Sequence, residues 1–107
     1  MLNTSKTQNK FKSKVFKALA DPARLEILEL LRQGEKCVCD IIPQVGLIQP
    51  VVSRHLLILK QAGLVKSRKS GNRRLYSVTD NRVYQITDSL TPELLETLKA
   101  HVIQHTV

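Results

Sequence analysis

Tryptophan is absent from this chain of 107 residues, and aromatic side chains are limited to two phenylalanines and two tyrosines. Recognition of single-stranded nucleic acid by base stacking needs a row of aromatic platforms, so the composition argues against that mode. No apolar run approaches the roughly 18 residues of a membrane span, and the polar, lysine-rich start from Met1 to Ser13 lacks the apolar stretch of a secretory signal. The expectation is a cytoplasmic protein with no membrane partner. Neither a glycine-rich phosphate loop nor paired catalytic carboxylates occur, and nothing places His55, His101 or His105 beside a cysteine as the partner of a nucleophile. No enzyme is expected. Internal repeats and low-complexity tracts are also missing.

Cysteine is nearly absent as well, with Cys37 and Cys39 alone in the chain. One intervening residue is poor geometry for a structural disulfide, and a reducing compartment would keep both as thiols. The pair therefore needs another explanation.

Basic charge, by contrast, is plentiful: 17 lysines and arginines stand against 9 acids, giving a net charge of +8. With 42% hydrophobic residues the chain can build a core. At this length it buries limited surface as a monomer, so dimerisation would help. The charge is unevenly placed, with five lysines and no acid from Lys6 to Lys17, and eight basic residues against Asp80 alone from Arg54 to Arg82. The rest is slightly acidic, so the basic middle reads as a binding surface on a scaffold.

Residues 1–10 read as a flexible basic tail preceding one domain over 11–107. Phe11, Val15, Phe16 and Leu19 have helical spacing and predict a short helix over Phe11–Ala20 with one buried face. Asp21 and Pro22 then start a second helix, the carboxylate capping it and the proline filling a position whose N–H would be unpaired anyway. Leu25, Ile27, Leu28, Leu30 and Leu31 give it a wide apolar face, and Gly34 stops it. A third helix is predicted from about Cys37 to Val45, and a fourth from about Pro50 to Gly63. In the fourth, Val52, Leu56 and Leu59 point inward while Arg54 lies nearly opposite. Two such helices joined by a short turn form the helix-turn-helix pattern, in which the second helix offers its N-terminal part to the major groove.

Two β-capable runs, Leu64 to Lys69 and Arg73 to Val78, flank a turn at Ser70-Gly71-Asn72 and predict a hairpin. Lys66, Arg68, Lys69, Arg73 and Arg74 crowd it; their mutual repulsion makes little sense as fold stabilisation, whereas a phosphate backbone would neutralise them. Helices through Val83, Ile86 and Leu90, and from Thr91-Pro92 through Leu94, Leu95, Leu98, Val102 and Ile103, exceed what a small core requires and suit a homodimer interface. The fold class expected is mainly α with a small β-hairpin (α+β), a winged helix-turn-helix.

Four blocks carry a family resemblance: Ala18-Leu19-Ala20-Asp21-Pro22-Ala23-Arg24-Leu25-Glu26-Ile27-Leu28, Cys37-Val38-Cys39-Asp40-Ile41, Gln49-Pro50-Val51-Val52-Ser53-Arg54-His55-Leu56, and Gly63-Leu64-Val65 with Gly71-Asn72-Arg73-Arg74-Leu75-Tyr76. In this order, over about residues 11 to 90, the chain resembles the ArsR/SmtB family of metal-responsive transcriptional repressors. The resemblance implies a winged helix-turn-helix homodimer that occupies double-stranded operator DNA and lets go when an inducer binds. It places the recognition helix at Gln49 to Ala62, with Gln49, Pro50, Ser53, Arg54 and His55 near the bases. Arginine can donate in a fork to guanine and glutamine can pair with adenine. Lys60, Lys66, Arg68, Lys69, Arg73 and Arg74 would fix register on phosphates. His55 lies on the flank of the apolar arc and can equally pack at the helix edge.

Two positions depart from the family's pattern. Ile48 stands where members commonly carry a capping serine or threonine, and Ile42 stands where the arsenic-responsive members usually have a third cysteine. The resemblance makes Cys37 and Cys39 ligands of a thiophilic inducer, As(III) or Sb(III) ahead of Cd(II) or Zn(II), with no cofactor required. On a regular helix residues two apart point about 200° from each other, so joint binding would need the helix start to distort. His101 and His105, four apart, form a secondary metal candidate. The alternatives are a regulator of the same fold with a thiol redox switch, and an interaction module without any inducer.

Overall fold

A computed structural model of the protein describes residues 2–102, with side chains from Ser5 onward. In chain order the elements are α1 (Leu2–Leu19), α2 (Pro22–Leu31), β1 (Lys36–Cys37), α3 (Val38–Val45), α4 (Gln49–Gln61), β2 (Val65–Ser70), β3 (Arg73–Val78), α5 (Val83–Asp88) and α6 (Pro92–Ala100). The mainly helical architecture with a wing is as the sequence predicts.

Asp21 caps α2 by accepting hydrogen bonds from the N–H groups of Ala23 (2.9 Å) and Arg24 (3.1 Å), with Pro22 opening the helix. Burial works against the charged carboxylate. The Arg24 N–H, the nearby His55, the Ala23 N–H and the Arg24 cation outweigh it and hold the carboxyl below its ordinary value. Asp21→Ala should therefore lower unfolding stability by about 1 kcal/mol at neutral pH. Because the folded pKa is depressed, this contribution exists above the unfolded value of about 3.9 and fades as pH falls through the folded one. Urea unfolding of both proteins at neutral and acidic pH should show the gap between them narrowing in acid.

The core collects Ile27 and Leu28 from α2, Ile41 from α3, and Val52, Leu56 and Leu59 from α4, all at most 1% exposed. Gly46, at φ +76° with its N–H bonded to the Ile42 carbonyl, closes α3 in a left-handed turn. Such a turn strains any side-chain-bearing residue. The chain then redirects by 111° from α3 to α4, within the range of a helix-turn-helix pair. The sheet has the antiparallel order β1-β3-β2, with Cys37 opposite Leu75 and Ser70 opposite Arg73 at the wing tip. Tyr84 of α5 is buried, donates to the Leu28 carbonyl at 2.6 Å and lies under the Arg32 guanidinium.

Two expectations need correction. Helix α1 continues back to Leu2 through the stretch read as a tail, since no proline or glycine interrupts it. Phe11 and Phe16 are 56% and 57% exposed, so of the face expected to be buried only Val15 and Leu19, with Ala18 beside them, pack against the core.

Candidate nucleic-acid interface and thiol site

Helix α4 turns Val52, Leu56 and Leu59 into the core and leaves Pro50, Ser53, Arg54, Leu57, Ile58 and Gln61 around an open groove on its far side. Gln49, Ser53 and Arg54 are exposed, and Arg54 has no ion-pair or hydrogen-bond partner among the described residues. Ile48 occupies the N-cap position without a side-chain hydrogen bond, consistent with the departure noted in the sequence.

His55 takes a different place from the base-facing one. Its ring is mostly covered, with Nδ1 3.2 Å from Arg24 Nη1 and 3.8 Å from Asp21 Oδ2. The ring thus sits between the Arg24 guanidinium and the Asp21 carboxylate. Arg24 also donates to the carbonyls of Ala18 (2.6 Å) and Lys17 (3.2 Å), so His55 ties α4 to the α1–α2 corner. Residue 55 lies beside the buried arc of α4 rather than opposite it, which brings its ring to this corner.

The wing cations are less self-repelling than their sequence suggests. Arg68 forms a two-bond pair with Glu35 at 2.8 Å, a contact that holds the Glu35 carboxyl below its ordinary value. Arg73 reaches Asp40 at 3.5 Å and Cys39 Sγ at 3.8 Å. Arg74 and Lys60 both donate to Ser67 Oγ, linking the wing to the end of α4. Lys66 and Lys69 are exposed, with no ion-pair or hydrogen-bond partner among the described residues. Exposed ion pairs are screened by water and contribute little, so Arg68 and Arg73 can exchange their acids for a phosphate at small cost.

Cys37 and Cys39 are joined as a disulfide, contrary to the expectation of two thiols. The physical reason is local. Cys37 precedes α3 as its N-cap in extended conformation (φ −71°, ψ 148°), and its Sγ accepts the Cys39 N–H at 3.0 Å. The two Cα atoms are 5.1 Å apart, within the ordinary range for a bridge. The 200° divergence of two residues inside a helix therefore does not apply. No distortion of α3 is needed for both sulfurs to reach one point.

Donor atoms of Cys37, Cys39 and Asp40 all lie within 4.8 Å of one another. Asp40, one residue beyond Cys39 in the first turn of α3, is a donor that the cysteine spacing alone does not reveal. Two sulfurs and a carboxylate suit a thiophilic or borderline ion once the sulfurs are reduced. Cys37, Cys39, Gln49, Ser53, Arg73 and Arg74 line a single cleft, which the Ile42 side chain also borders. His101 follows α6 on the surface, 3.0 Å from the Thr97 carbonyl, and His105 lies outside the described residues.

On another side of the molecule, Phe16, Leu19, Leu25, Ile86, Leu90 and Leu95 line an open apolar groove. Among the described residues no single helix is long and apolar enough to cross a membrane.

Residues 21–67 match the model of a family described as bacterial regulatory protein, arsR family. An uncharacterized HTH-type transcriptional regulator of Methanocaldococcus jannaschii is 49% identical over 71 residues, covering 65% of this chain and 80% of that protein. The arsenical resistance operon repressor of Staphylococcus xylosus is 44% identical over 66 residues, and the match spans 62% of this chain and 64% of the repressor's length. Among solved structures, the homodimeric winged helix-turn-helix DNA-binding domain of a possible ArsR-family regulator from Mycobacterium bovis is similar at 33% identity and TM-score 0.78, covering 94% of each chain.

Proposed function

The chain belongs to the arsR family of bacterial regulatory proteins and has its winged helix-turn-helix fold, and from that premise we propose that it is a homodimeric transcriptional repressor released from operator DNA by a thiophilic metal or metalloid. Relatives named as regulators rather than enzymes agree with the lack of a catalytic constellation. Gln49, Pro50, Ser53 and Arg54 enter the major groove, while Lys60, Lys66, Arg68, Lys69, Arg73 and Arg74 hold phosphates. The observation that carries the reading is the shared cleft: the sulfurs of Cys37 and Cys39 stand beside Gln49, Ser53 and two wing arginines.

Reduced Cys37 and Cys39 bind As(III) or Sb(III), with Cd(II) and Zn(II) as weaker candidates, and Asp40 is the nearest third donor. Recruiting Asp40 takes the carboxylate from Arg73, and filling the cleft moves the N-terminus of α3 against α4. The bound ion thereby favours a conformer with a poorer fit to DNA, the differential affinity that allostery requires. The apolar groove between α1, α2, α5 and α6 is the dimer surface, consistent with the homodimeric relative. A second reading rests on the Cys37–Cys39 bridge itself: oxidation of the pair, rather than ion binding, switches the repressor.

Fluorescence anisotropy with the chain's own promoter duplex tests both. With six to ten phosphates neutralised, affinity should fall about 10³- to 10⁵-fold between roughly 50 and 200 mM salt. A flat salt response sinks DNA binding of this kind. Under reducing conditions arsenite should release the duplex from the wild type and fail to do so from the Cys37→Ser/Cys39→Ser variant. Serine is itself a good N-cap, so the variant keeps α3. Release that persists in the variant overturns the thiol site, whereas release by peroxide and not by arsenite selects the redox reading.

A further inference from the structure

We propose that Leu57 reads sequence, its side chain meeting the C5-methyl group of a thymine in the major groove. The inference rests on the DNA-binding reading above and adds an apolar base contact to its polar ones. At about 100° per residue, Pro50, Arg54, Leu57 and Gln61 fall on the side of α4 opposite Val52, Leu56 and Leu59. The structure bears this out: Leu57 is 51% exposed while its neighbour Leu56 is 0% exposed.

Scattered surface leucines are ordinary. This one shares its groove with Ser53, Arg54 and Gln61, the side chains that project from the recognition helix. It is separate from the apolar groove of α1, α2, α5 and α6, so a protein interface there does not account for it. The fold does not need it either, since lysine or glutamate would serve an exposed helix position as well. In the major groove the thymine methyl is the apolar group on offer. Three residues of helix rise by about 4.5 Å, close to one base step of about 3.4 Å, so the thymine should neighbour the base pair met by Arg54.

The test uses the full chain and duplexes selected by it from a randomised library at fixed salt. Each thymine of the half-site is replaced singly by deoxyuridine, which lacks only the methyl, and binding is followed by anisotropy. For the wild type, one replacement next to the Arg54 position should weaken binding about fourfold, the value of one buried methyl-sized group. Leu57→Ala should bind the thymine and deoxyuridine duplexes equally. An unchanged thymine preference in Leu57→Ala, no thymine preference in the wild type, or an affinity loss in Leu57→Ala that is the same for every duplex overturns the proposal and leaves the repressor reading standing. Selection that retains no duplex overturns both.

Discussion

Replacing Arg54 with alanine should weaken binding to the selected operator by about 5- to 150-fold, the range spanned by one bidentate arginine–guanine contact, while binding to random duplex changes little. The side chain lies on the outer side of α4, and no described residue pairs with it. Its removal breaks no ion pair and opens no cavity, so thermal unfolding should stay within about 0.5 kcal/mol of the wild type. Lys66 and Lys69 provide the contrast. Alanine at either should weaken all duplexes alike and reduce the slope of log affinity against log salt by about one. If Arg54→Ala instead weakens specific and random duplex to the same degree, its guanidinium holds a phosphate and α4 meets DNA in another orientation.

The contrast between Arg54 and the wing arginines shows where sequence reading succeeds and where it stops. Helix α4 was legible because an apolar residue at 52, 56 and 59 fixes one face, and the opposite face follows from the helical period alone. Asp21-Pro22 was legible because capping is local chemistry. Long-range partners leave no such trace. Glu35 meets Arg68 across 33 positions, and Arg24 meets His55 across 31. Only the packed fold brings either pair together. Strand β1 is two residues long, too short for any period to register, yet it seats Cys37 opposite Leu75 on the edge of the wing. That placement ends the sheet where α3 begins, and it is why both sulfurs of Cys37 and Cys39 point into one cleft. The spacing of the two cysteines alone suggested divergence, because it treated both as helical.

Leu56→Ala should destabilise the protein by about 2 to 5 kcal/mol, the span measured for removing a large aliphatic side chain from a packed interior. Leu56 is 0% exposed and belongs to the cluster that joins α2, α3 and α4. Those are the elements that hold the recognition helix at its angle, so the cavity loosens the binding surface as well as the fold. For a domain near this size each kcal/mol lowers the midpoint by about 4–8 °C, which makes the shift large in a thermal melt. Leu57, one residue further on, supplies the internal control. Alanine there removes a side chain half in solvent and should move the melt by no more than about 0.5 kcal/mol. Opposite outcomes for these adjacent leucines are what the orientation of α4 requires. Equal destabilisation would mean that α4 is rotated about its axis, and the assignment of Arg54 and Leu57 to the DNA-facing side would fail with it.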